Sequence, residues 1–183
     1  MLNLAACASG PSSDNSSQLV SNKDVDPTIL SEYQYALSLM KNGENEQALQ
    51  KFAQMVTKYP NLSGTFVNLG IIYLKEKRYE DAKKALLQAT TISPANAVAY
   101  NHLGIAQREL GEFNEAKQSY LEALKYSPKY ANAHLNIGIL YDLYFNDLGN
   151  ALNHYQTYQE LTGGKDSTVE KWIVDLGRRL GKK

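Results

Sequence analysis

Beyond residue 28 the small and apolar positions of the chain return with a fixed period. Pro60, Pro94 and Pro128 lie 34 residues apart, as do Ala48, Ala82 and Ala116, and Gly70, Gly104 and Gly138; Tyr73 and Tyr141 are separated by two periods. Three kinds of position in one register mark an internal repeat, in which each unit buries its apolar face only by stacking on its neighbours. Ahead of this region runs a polar stretch, Ser9 to Asp26, rich in Ser, Asn and Asp, with Gly10 and Pro11 near its start. It carries too little apolar surface to offset the entropy of ordering it, so residues 8–28 read as a flexible tether.

One repeat reads Leu69-Gly70-x-x-Tyr73…Ala82…Leu86…Ala89…Pro94, and the next Tyr100-x-x-Leu103-Gly104…Ala116…Tyr120…Ala123…Pro128. With a period of 34, these motifs resemble the tetratricopeptide repeat (TPR) family. The resemblance implies an all-α fold: a right-handed solenoid of about four helix-turn-helix repeats at residues 29–62, 63–96, 97–130 and 131–164, closed by a capping helix at residues 165–183. Each motif position has a physical task. The Gly or Ala of the first helix and the Ala of the second are expected where the helices cross, and a small side chain lets them approach closely. The proline ends the second helix, because it has no N–H with which to continue it.

The first repeat is degenerate, with Ala36 for the glycine and Leu39 for the tyrosine, but it keeps Ala48, Phe52 and Pro60. Asp26-Pro27 predicts its start, a helix N-cap followed by proline at the first helical position. In the fourth repeat Ala151 follows Ala116 by 35 residues, which places one extra residue in the Tyr144–Asn150 turn. The apolar Tyr144, Phe145 and Leu148 predict that this turn packs, and the repeat ends at Gly163-Gly164. Ser167-x-x-Glu170 then reads as a capping box. Val169, Trp172, Ile173, Leu176 and Leu180 fall on one helical face with Lys and Arg opposite, as a solenoid cap requires. Trp172 is read as core.

Charge and composition narrow the function. The chain carries 19 Lys and Arg against 19 Asp and Glu. It lacks the basic excess of a nucleic-acid binder. Its 13 tyrosines suit solenoid packing and protein-binding surfaces alike. No stretch reaches the ~18–20 apolar residues of a membrane-spanning helix. The single cysteine, Cys7, excludes an intramolecular disulfide and a thiolate cluster. His102, His134 and His154 have no ligand spacing. His102 and His134 lie on first helices of adjacent repeats, where they can approach one another, and they read as half-buried histidines. No nucleophile has a base beside it and no phosphate loop is present. The reading is a non-enzymatic protein with no cofactor, no metal and no small-molecule substrate.

Leu4-Ala5-Ala6-Cys7 resembles a bacterial lipobox, so residues 1–7 are expected to be the remnant of a lipoprotein signal, with Cys7 acylated. The stretch before Cys7 lacks the basic n-region and the apolar h-region of a complete signal peptide. Ala8, where an aspartate would favour inner-membrane retention, points to the outer membrane facing the periplasm. The lipid would be the only membrane contact.

By the same family resemblance, the first helices line a concave groove. The positions carried over are Leu30, Tyr33, Gln34, Leu37 and Met40; Val67, Asn68, Ile71, Leu74 and Lys75; Asn101, His102, Ile105, Arg108 and Glu109; and Asn132, Leu135, Asn136, Ile139 and Asp142. Such a groove is apolar at its floor and suits an amphipathic helix or an extended peptide of a partner protein. Asn68 and Asn136 either bond a bound backbone or bridge neighbouring repeats. Chaperone-binding members carry a Lys/Asn clamp where Tyr33 and Leu37 stand here, so the resemblance argues against an Asp-terminated tail as ligand. The chain is similar to pilotin-like and other TPR lipoproteins, which implies an envelope scaffold for a pilus, motility or secretion machine. The alternatives are a soluble cytosolic adaptor or chaperone, and a periplasmic regulator of a cell-wall enzyme.

Overall fold

A computed structural model describes residues 26–181, all helix and short turns. Cys7 and nearly all of the tether lie outside the described residues. The helices are α1 (Pro27–Lys41), α2 (Asn45–Lys58), α3 (Ser63–Lys75), α4 (Tyr79–Ile92), α5 (Ala97–Glu109), α6 (Phe113–Tyr126), α7 (Ala131–Leu143), α8 (Leu148–Thr162) and α9 (Ser167–Arg179). They pair as four antiparallel hairpins, α1–α2 to α7–α8, with each second helix packed against the next first helix and α9 packed on α8. Asp26 caps α1 by accepting from the Thr28 amide, and Pro27 takes the first helical position. Pro60, Pro94 and Pro128 fall in the connections that follow α2, α4 and α6.

Each hairpin is built on one crossing contact. A Cβ placed on Gly70 would lie 2.5 Å from Leu86 Cγ, one on Gly104 2.5 Å from Tyr120 Cε1, and one on Gly138 2.8 Å from Tyr155 Cδ1. The space left by the missing side chain is thus filled by a large residue of the second helix, and not by its backbone as the sequence suggested. In the first hairpin Ala36 and Phe52 occupy the corresponding positions, both fully buried.

The turns inside the hairpins carry a second regularity. Three have three residues and a positive φ at the middle one: Gly43 (82°), Lys77 (59°) and Gly111 (80°). The fourth, residues 144–147, is one residue longer and places Asn146 at φ 50°. The extra residue lets the turn fold back on the preceding repeat. Tyr144 lies 4.2 Å from the Phe113 ring and the Lys117 ammonium sits 4.8 Å from the Phe145 ring. Phe145 and Leu148 are half-buried, whereas Tyr144 keeps 45% of its surface exposed.

The two ends of the described solenoid differ. At the C-terminal end α9 buries Val169 and Leu176 on the last hairpin, with Trp172 half-buried 5.3 Å from the Tyr155 ring. Its N-cap is Asp166, one residue before the expected Ser167. The Asp166 carboxylate accepts from the Thr168 and Val169 amides and leaves Ser167 inside the first turn. At the N-terminal end Tyr35 occupies the register of Leu69, Leu103 and Ile137. Those three are buried, whereas Tyr35 is 52% exposed beside a Lys58–Glu32 ion pair at 2.6 Å.

The histidines pair differently from the sequence reading. His134 on α7 meets His154 on α8, within one hairpin, at 2.9 Å between Nδ1 atoms, while His102 donates to the Val98 carbonyl at 2.8 Å. Helical register brings residue 134 opposite residue 154 because α7 and α8 are antiparallel, and it keeps residue 102 on its own helix. His134 Nε2 donates to the Pro128 carbonyl, which has only lone pairs to offer, and Tyr141 stacks on His154 at 5.8 Å. Burial, and then the neighbouring His134, push His154 down from 6.5 to about 4.

Three outcomes test this packing. Gly104→Ala should cost about 1–3 kcal/mol, since the buried Tyr120 ring cannot yield, while Gly177→Ala on α9, with open space at its Cβ, should stabilise by about 0.5–1 kcal/mol. Urea midpoints of the two variants would move in opposite directions. Lys77→Gly should raise stability by up to about 1 kcal/mol by removing the left-handed strain. Because His154 is held neutral in the fold, stability should be greatest above pH 6.5 and should decline as the pH falls towards about 4. Thermal melts of His154→Gln across that window should show a shallower decline than those of the parent.

Candidate protein-binding groove

The first helices of successive repeats lie side by side, α3 against α5 and α5 against α7. A residue therefore recurs on the same face one repeat later. Leu37, Ile71, Ile105 and Ile139 stand 34 residues apart and form a half-buried apolar ladder along these helices. Beside it runs a second ladder, Met40, Leu74, Arg108 and Asp142, half-buried throughout and changing from apolar to charged along the solenoid. Leu30 is half-buried at the N-terminal end. Gln34, Lys75, Glu109 and Asn132 are exposed at the margins, and His102 is half-buried.

Five of the residues assigned to the groove do not offer themselves to a ligand. Tyr33, Val67, Asn68, Asn101 and Leu135 are buried, at 2–6% exposure. The side-by-side packing of first helices wedges these positions between repeats, and their polar atoms are used there. The Asn68 amide donates to the Tyr33 hydroxyl at 2.7 Å and to the Gly64 carbonyl at 3.0 Å. The Asn136 amide donates to Asn101 Oδ1 at 2.9 Å. Both side-chain bridges span 35 residues and tie α1 to α3 and α5 to α7. Of the two roles open to Asn68 and Asn136 from the sequence, the structure places them in the bridges. Burial pushes the Tyr33 hydroxyl well above its ordinary titration range, so it stays neutral.

The charged end of the groove is internally compensated. Arg108 bonds Glu109 at 3.0 Å. Asp142 is met by Arg179, which reaches back from the last turn of α9 at 3.5 Å. This link between the capping helix and a first helix, 37 residues apart, has no signature in the repeat pattern. The neighbouring Tyr120 hydroxyl is fully buried without a hydrogen-bond partner. Burial holds His102 below its ordinary range, so it adds no charge at neutral pH. Among the described residues no three His, Cys, Asp or Glu side chains gather as metal ligands, and no helix is long and apolar enough to cross a membrane. The surface as built is a row of apolar contacts with a polar margin, the chemistry of a peptide- or helix-binding groove.

Comparison with known proteins agrees with this geometry. A tetratricopeptide-repeat family model matches residues 39–103, and a TPR-repeat model matches residues 106–143. No curated protein sequence matches the chain. Among solved structures, Pseudomonas aeruginosa PilF superposes with a TM-score of 0.75 at 20% identity, covering 84% of this chain and 69% of that one. MamA gives 0.72 at 21% identity, covering 85% and 84%. The second TPR domain of human RPAP3, solved in complex with the HSP70 peptide SGPTIEEVD, gives 0.59 at 26% identity, covering 61% and 93%. The two repeat models together span more than half of the sequence, on an architecture of stacked helical hairpins, and the chain belongs to the tetratricopeptide repeat family.

Proposed function

We propose that this protein is a non-catalytic scaffold that binds a partner protein in the concave groove. It does so as a lipid-anchored envelope lipoprotein, held at the outer membrane through Cys7, that helps to assemble or localise a multiprotein machine of the pilus, motility or secretion type. The observation that carries the binding reading is the unbroken ladder of Leu37, Ile71, Ile105 and Ile139, half-buried side chains on four consecutive first helices. A core needs no such row at its surface, whereas an amphipathic helix or an extended segment laid across the first helices would complete its burial. The anchor reading is supported by the solitary Cys7 behind Leu4-Ala5-Ala6 and ahead of a polar tether. Relatives that bind peptides, such as the RPAP3 domain, are consistent with the groove as the working surface.

Two measurements test the two parts. A photoreactive residue at Ile105 should crosslink to a partner protein in cells, while the same residue at the exposed Leu121 of α6 should not. Equal yields at the two positions would remove the groove. The intact mass of the protein from membranes of its native host should correspond to a chain that begins at Cys7 and carries a diacylglycerol and an acyl chain. An unmodified Cys7 in soluble protein would remove the anchor.

A further inference from the structure

The groove is not uniform along its length, and its N-terminal half carries charge that no carboxylate among the described residues answers. Lys41 and Lys75 are the last residues of α1 and α3, one repeat apart, and both are exposed. Neither ammonium has a carboxylate partner among the described residues. The acidic groups nearby are engaged elsewhere. Glu76 bridges Arg78 at 3.4 Å, and Glu44 accepts from the Asn42 amide at 3.3 Å. In the next two repeats the same register holds Glu109, already paired with Arg108, and Leu143. The unanswered lysines therefore coincide with the half of the groove where both ladders are apolar: Leu37, Met40, Ile71 and Leu74. A lysine in the last turn also complements the helix dipole, but that role needs no apolar strip beside it.

From this coincidence we infer that the N-terminal half of the groove takes an acidic amphipathic segment of a partner protein. Its apolar side chains seat on Leu37, Met40, Ile71 and Leu74, and its Asp or Glu side chains face Lys41 and Lys75. Adjacent packed helices lie about 8–10 Å apart. Carboxylates matched to the two lysines thus fall about three residues apart in an extended segment, or about seven apart on a helix. The acidic groups are side chains within the segment, so no free chain terminus is required. The inference rests on the groove being the binding surface.

Fluorescence polarisation with the full chain tests it, using three labelled synthetic peptides. One is an amphipathic helix of Leu flanked by Glu, one has Lys for each Glu, and one has Ser for each Leu. The Glu peptide should bind about tenfold tighter than the Lys peptide, and added salt should narrow that gap. Lys41→Glu with Lys75→Glu, at exposed positions that leave the core alone, should reverse the preference. The Ser peptide should not bind. Failure of the Glu peptide to bind, equal affinity for the two charged peptides, or an unchanged preference in the charge-reversed variant would each overturn the inference. Ile71→Ser with Leu74→Ser separates it from the wider reading. If peptide binding is charge-blind yet lost in that variant, the groove stands and only the acidic partner falls. If binding survives the variant, both fall.

Discussion

A bare stretch of backbone on each first helix, set against one large side chain from the second, is the contact on which the rest of the structure depends. At Gly70, Gly104 and Gly138 a methyl group would already collide with Leu86, Tyr120 or Tyr155. Those side chains are fully or almost fully buried. A glycine inside a helix is unfavourable by itself, by roughly 1 kcal/mol relative to alanine. It is tolerated because the ring or branch that fills its place buries far more apolar surface than an alanine methyl would. The crossing fixes how the two helices of a hairpin sit, and hence which face of the first helix is left for the next repeat and for the groove.

Between repeats the protein relies on a mixture of apolar packing and single polar bridges. The Asn68–Tyr33 bond is buried and the Asn136–Asn101 bond partly so, where an unpaired amide would be costly. They therefore penalise any sliding of one repeat past the next. Because each unit touches chiefly its neighbours, the array needs terminations. The C-terminal one is a helix whose Arg179 reaches over to Asp142, binding the cap to the last first helix of the groove. At the other end of the described residues the outer face is already mixed, with Tyr35 between Lys51 and the Glu32–Lys58 pair.

The same repetition that builds the core also builds the candidate site. One position per first helix, repeated at the superhelical step, becomes a line of side chains rather than a pocket, and a line suits an elongated ligand. Where the register stays constant, as from Leu37 to Ile139, the surface is uniform. Where it drifts, as from Met40 and Leu74 to Arg108 and Asp142, the groove acquires direction, apolar with open positive charge at one end and self-neutralised at the other. Polarity of this kind favours one orientation of a bound segment over its reverse.

The 34-residue period by itself determined the helical hairpins, the stacking order, the small crossing position of each first helix and the need for a cap, because a strict repeat of small, large and breaking residues fits one kind of unit. It also determined the row that runs from Leu37 to Ile139, since register alone places those residues on one face. Tertiary structure decided what lies at the bottom of that row. Tyr33, Val67, Asn68, Asn101 and Leu135 share the register of a surface, yet the distance between first helices closes over them, and that distance is set by packing rather than by pattern. The His134–His154 contact and the Arg179–Asp142 link were likewise beyond reach of the repeat, because each joins positions that occur once in the chain and meet only when antiparallel helices and a returning cap bring them together.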